Sequence, residues 1–158
     1  MNQDLLSKNG WKILIVGNNP IELSQVNAQL HAIREPEIIT EMAFDDQSTF
    51  QRLTVFPAQH IILDDNIGMD TMKNVVARLK RRRSLRVAVT VLKNSNYEET
   101  LGSGAVNYVL KQSLSSELLH GELINSMHFQ MRQSLWERSC RKRQGHMARL
   151  IRMATIQI

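Results

Sequence analysis

Residues 13–20 read ILIVGNNP, four apolar residues followed by a turn of Gly17, Asn18, Asn19 and Pro20. An apolar run that breaks into such a turn marks the carboxyl end of a buried parallel strand, the edge at which α/β proteins place their chemistry. This turn brings glycine and amides but no charge. Outward from it, residues 12–16 read as a strand. Residues 21–33 then set Ile21, Leu23, Val26, Leu30 and Ile33 at roughly helical spacing, opened by Asn19 as cap and Pro20 in the first turn.

The alternation continues along the chain. A weaker strand is expected over 37–42, then a short helix over 46–56 with Phe50 and Leu53 inward, stopped by Pro57. The run 60–63 ends on Asp64 and Asp65 and enters a loop through Gly68. A helix over 70–82 carries Met72, Val75, Val76 and Leu79 on one face, followed by a strand over 86–92, a short helix over 96–102 and a fifth strand over 107–110. Ser115 or Ser116 then caps a long helix. Five strands alternating with helices predict an α/β fold, a (βα)5 doubly wound parallel sheet.

Past about residue 126, helix-forming residues run on through Arg143 without proline, and without glycine until Gly145, so the helix is expected to protrude. The expected organisation is a tail over 1–10, a domain over 11–127 and a helical extension over 128–158. Leu119, Leu123, Met127, Met131 and Leu135 step by four along this helix. A lone helix cannot bury such a stripe, which makes Leu123, Met127, Met131 and Leu135 the expected contacts of a homodimer. A second amphipathic, basic segment covers 147–153.

Composition narrows the function. The apolar runs are far shorter than the roughly 20 residues needed to cross a bilayer, and residues 1–12 lack the apolar core of a secretory signal. A cytoplasmic protein with no membrane role is expected. One cysteine, Cys140, excludes an internal disulfide and a cysteine-based zinc cluster, and the five histidines show no ligand spacing. The net charge of +5 is concentrated in Lys80, Arg81, Arg82, Arg83 and Arg86, and in Arg138, Arg141, Lys142, Arg143, Arg149 and Arg152. Such clusters can neutralise phosphates, but more often they are solvated faces or helix ends, so nucleic acid is the least favoured partner.

At one edge of the expected sheet, the loops after strands one, three, four and five would gather Gly17 and Asn18, Asp64 and Asp65, Thr90, and Lys111. Alternation along the strand would point Asp65 away from Asp64. The segments IILDDNIGMD (61–70) and GAVNYVLKQSLSSELL (104–119) resemble the receiver domains of two-component response regulators, the CheY-like fold, over about residues 11–127. The resemblance implies that Asp64 stands at the phosphoacceptor position and Lys111 at the phosphate-pairing position. It also implies a divalent cation held by an acidic pair after strand one, but Gly17 and Asn18 stand there. A neutral amide is a poor substitute, since Mg²⁺ favours carboxylates and water. The switch hydroxyl falls on Thr90 or, without gaps, on Val91, and only Tyr108 keeps the aromatic of that relay. Gln112 replaces the usual proline after the lysine.

The resulting expectation is an atypical receiver-like module, not an enzyme and without a metal or cofactor. It would act by contact with a protein partner such as a kinase or an output domain. Two alternatives stay open. One is a conventional receiver phosphorylated on Asp64 with Mg²⁺, controlling an output such as a diguanylate cyclase, whose helical linkers the segment 141–153 resembles. The other is a basic C-terminal helix that contacts nucleic acid.

Overall fold

The computed structural model describes residues 10–82, 87–94 and 106–156. Five parallel strands form one sheet in the order β2-β1-β3-β4-β5: β1 Trp11–Val16, β2 Ile38–Ala43, β3 His60–Asp64, β4 Ala88–Lys93 and β5 Val106–Leu110. The helices are α1 Pro20–His31, α2 Asp46–Val55, α3 Met69–Arg81 and α4 Ser116–Ile156. The doubly wound parallel sheet is therefore as expected, and most element ends fall within two residues of their predicted places. The helix expected over 96–102 lies outside the described residues, as do Arg83 and Arg86 of the first basic cluster.

Local chemistry sets the boundaries. Asn19 caps α1 by accepting from the Ile21 amide, with Pro20 at the first helical position. Asp45 and Ser48 close a reciprocal capping box on α2. Ser115, of the two candidate serines, caps α4 by accepting from the Leu118 amide. One face of the sheet packs Leu14, Val16, Ile61, Leu63, Val89 and Val91 against Phe50 and Leu53 of α2 and Met72, Val75, Val76 and Leu79 of α3. Strand alternation assigns Ile13, Ile15, Ile62 and Leu92 to the other face, and all four are buried, as are Leu23 and Leu30 of α1 and Leu119 and Leu123 of α4. Arg82 of the first basic cluster, with the neighbouring Arg78, is spent on packing. The Arg78 and Arg82 guanidinium groups lie 3.7 and 5.4 Å from the Phe50 ring centroid.

The chain divides into two compact units, Met1–Ile124 and Asn125–Ile158. Helix α4 continues without a break through Gly145, consistent with a helical extension over 128–158. Glycine inside a helix costs only about 1 kcal/mol relative to alanine, too little to stop a run of helix formers on both sides. Leu123 is 1% exposed, so it belongs to the core of the first unit and not to a dimer contact. Met127 is half-buried, whereas Met131 and Leu135 are exposed. No helix among the described residues is long and apolar enough to cross a membrane.

The strand residue His60 is buried, and its Nε2 lies 2.8 Å from the Thr90 hydroxyl. Burial lowers its pKa from 6.5 to about 4. The folded state thus binds fewer protons than the unfolded state between these values, so stability is full above pH 6.5 and is lost as pH falls towards 4. The expected loss is on the order of 3 kcal/mol. Urea titrations at pH 7 and pH 5 would register it as a lower midpoint at pH 5. The double variant His60→Leu/Thr90→Val, which removes both polar partners, should flatten that difference.

Candidate functional site

The carboxyl edge of β1 and β3 and the turn after β5 bring the charged residues of the first unit together. Asp64 ends β3 with its side chain 1% exposed. Its Oδ1 accepts from the Asn66 amide at 3.0 Å and contacts the Lys111 ammonium, while Oδ2 is buried without a hydrogen-bond partner. Lys111 opens the turn after β5 and reaches two further carboxylates, Glu22 Oε2 at 2.9 Å and Asp65 Oδ1 at 3.2 Å. One ammonium therefore serves three acids.

Asp65 was expected to point away. It does not, because the strand stops at Asp64 and Asp65 begins a 3-10 turn, Asp65–Ile67, where alternation no longer applies. Its other oxygen accepts from the Asn94 amide at 2.9 Å, which ties the end of β4 to this edge. Glu22 is a site residue that the sequence reading missed, and Asn66, on the loop after strand three, makes contacts that the sequence does not predict. Glu22 lies in the first turn of α1, where an acid reads as a favourable helix end. Its place at the same sheet edge as Asp64 was the available signal.

The electrostatics follow from these contacts. Burial pushes the Asp64 carboxyl above its ordinary range, and the hydrogen bonds from Lys111 and the Asn66 amide pull part of the way back. Hydrogen bonding to Lys111 holds Glu22 below its ordinary value. Burial opposes the charge on Lys111, but its bonds to Asp64, Glu22 and Asp65 together outweigh burial and raise its pKa.

The turn after β1 lies against this cluster. A Cβ at Gly17 would stand 2.7 Å from Leu23 Cδ2, 2.9 Å from Asp64 Cβ and 3.2 Å from Asn66 Oδ1, so no side chain fits there without displacement. The amide of Asn18 donates to Asn66 Oδ1 at 3.0 Å, and its side-chain Nδ2 donates to the Asn66 carbonyl at 2.7 Å. Asn66 Nδ2 in turn donates to Glu22 Oε2 at 3.0 Å. Asn66 thus fastens the β1 turn, α1 and the end of β3 together.

The positions named for a switch lie on β4 and β5. Thr90 is buried within β4, pairs with Ile62 and spends its hydroxyl on His60. Val91 packs in the core. The β4 residue level with Asp64 is Leu92, which has no hydroxyl. Tyr108 pairs with Val91 on β5, and the Lys93 ammonium lies 4.3 Å from its ring centroid.

Solved structures that share this arrangement of strands and helices include receiver domains. The signal receiver domain of an HD domain-containing protein from Pseudomonas fluorescens Pf-5 superimposes with a TM-score of 0.65 at 16% identity, over 78% of this chain and 99% of that one. This chain carries the CheY-like receiver fold. A receiver of a response regulator receiver modulated diguanylate cyclase from Pelobacter carbinolicus shares the receiver fold at TM-score 0.62 and 22% identity, over 78% and 97% of the two chains. The chemotaxis response regulator CheY4 of Vibrio cholerae matches at 0.61 and 19%, over 75% and 99%. No protein-family model matches the sequence, and no curated protein sequence matches it.

The cation that the receiver fold implies does not fit the residues present. Position 17 has no room for a carboxylate. The Asn66 carbonyl accepts from the Asn18 amide group, and Glu22 and Asp65 both contact Lys111. A small, strongly hydrated ion requires near-octahedral oxygen donors, and here an ammonium and an amide engage most of the available oxygens.

Proposed function

We infer that the chain is a receiver-like signalling module that works by protein–protein contact and does not depend on Mg²⁺-assisted phosphorylation of Asp64. The supporting observation is the internal cation: Lys111 contacts Asp64, Asp65 and Glu22 at once, beside a Gly17 that leaves no space for an acid. Phosphoryl transfer to a carboxylate relies on charge neutralisation of the transferring group. Here that positive charge is already shared among three acids. In this reading the module catalyses no reaction, works in the cytoplasm, and uses its C-terminal helix to contact an output domain, another signalling protein or a second copy of itself.

Incubation with beryllofluoride and Mg²⁺, followed by amide chemical shifts around Asp64, tests this. The expected result is no saturable change, together with no heat of Mg²⁺ binding at millimolar concentration. Stoichiometric modification of Asp64 by acetyl phosphate would overturn it. The second reading, a phospho-accepting switch, draws support from the buried, unpartnered Asp64 Oδ2, and that same modification would establish it.

A further inference from the structure

In the unit Asn125–Ile158 the exposed apolar side chains include Met131 and Leu135 of the four-step stripe, as well as Ile151 and Met153, and a second set that runs further along the helix. Phe129, Trp136, Met147 and Leu150 are 45%, 70%, 61% and 51% exposed. They belong to a different series, 129, 133, 136, 140, 143, 147, 150 and 154, occupied by Phe, Gln, Trp, Cys, Arg, Met, Leu and Ala. These spacings alternate between four and three, the 3.5-residue repeat by which one helix seats against another. With about 100° of turn per residue, the series stays on one side of α4, whereas Met131 and Leu135 fall on the order of 100–150° away. Arg138, Arg141, Lys142, Arg149 and Arg152 fall on the opposite side, where they would stay in water when the apolar side is covered.

Charge selects the occupant. Arg132 and Glu137 flank the seam five residues apart, the spacing at which flanking residues of two parallel, in-register helices meet across a coiled coil. Each Arg132 would then face the other copy's Glu137, twice by symmetry, while Glu137 also lies 3.9 Å from Arg141 of its own helix. We propose that a second copy of this chain seats on this face as a parallel, in-register two-stranded coiled coil, with Cys140 opposite Cys140. This deepens the protein-contact reading above by naming its seam. The polar Gln133 would help to fix the register. Arg143 would meet its own copy, a like-charge contact that weakens the pair.

Sedimentation of the full chain over a micromolar range should show a monomer–dimer equilibrium. Because Cys140 is the one cysteine, mild oxidation should give a covalent dimer that Cys140→Ser abolishes. Leu150→Glu should weaken the dimer by at least about tenfold, the scale of one large apolar side chain lost from a seam. Arg143→Leu should tighten it, and Leu135→Glu should leave it unchanged. A dimer that Leu135→Glu dissociates, or one that Cys140 does not cross-link, overturns this seam. A monomer at every concentration overturns the coil, and if that monomer still ignores beryllofluoride, the phosphorylation-independent reading survives on its own.

Discussion

Lys111→Met should destabilise the first unit by about 3 kcal/mol at neutral pH. The Lys111 side chain is 17% exposed, and its ammonium contacts Asp64, Asp65 and Glu22. Removing it leaves those carboxylates facing one another with no counter-charge, and breaking a buried pair by deleting one partner costs about 3–5 kcal/mol. The lower end applies because Glu22 is 39% exposed and water can relieve it. The sign of the pH dependence follows. In the variant, burial and like charge both raise the Asp64 pKa above its unfolded value, so the folded state holds a proton that the unfolded state has released. Stability should therefore recover as pH falls through the acidic range. Adding Asp64→Asn to Lys111→Met should restore much of the loss at pH 7, since an amide needs no counter-charge. Urea midpoints of the single and double variants at pH 7 and pH 5 measure this. An unchanged midpoint in Lys111→Met would show that the three contacts do not act as one cluster.

The architecture could be read from the sequence because its signals are redundant. Runs such as 13–16 and 61–63 are apolar without interruption, as strands buried on both faces must be. Met72, Val75, Val76 and Leu79 recur at helical spacing, and all four are buried in the structure. The site was only half legible. Asp64 and Lys111 stand at strand ends, where topology alone brings them to one edge. Asp65, Asn66 and Glu22 sit in a 3-10 turn and a first helical turn, and there the local backbone, not a sequence period, decides where a side chain points. Thr90 and Val91 raise a different difficulty. Strand β4 extends to Lys93, so the residue level with Asp64 is Leu92, and the pairing register cannot be counted from one strand alone. Along α4, each step of four advances about 40° round the helix, so the four-step stripe does not keep to one face. Leu119 and Leu123 are buried in the first unit, while Met131 and Leu135 are exposed.

Restoring acids at positions 17 and 18 should not create a working cation site. Gly17→Asp is expected to cost more than Gly17→Ala, and Gly17→Ala itself about 1–3 kcal/mol, the usual range for overpacking. The alanine Cβ alone would stand 2.9 Å from Asp64 Cβ and 2.7 Å from Leu23 Cδ2. The leucine methyl can swing aside, but the Asp64 Cβ is held by its strand and by the hydrogen bond from the Asn66 amide. An aspartate would add a second carboxylate against Asp64, and the like charges would raise the pKa of at least one of them. Asn18→Asp is the milder change, since position 18 is exposed. It loses the donation to the Asn66 carbonyl and sets an acceptor against an acceptor, at about 1 kcal/mol. An ion that binds only the folded state raises the melting temperature in proportion to its occupancy. Thermal melts of Gly17→Asp/Asn18→Asp with EDTA and with millimolar Mg²⁺ should therefore coincide, both well below the parent chain. A large Mg²⁺-dependent rise would mean that Leu23, Asp64 and Asn66 yield to a carboxylate and that the absence of acids is all that separates this site from a metal centre. Coincident melts would mean that the packing around Gly17, with Lys111 as its built-in cation, is itself what closes the site to metal.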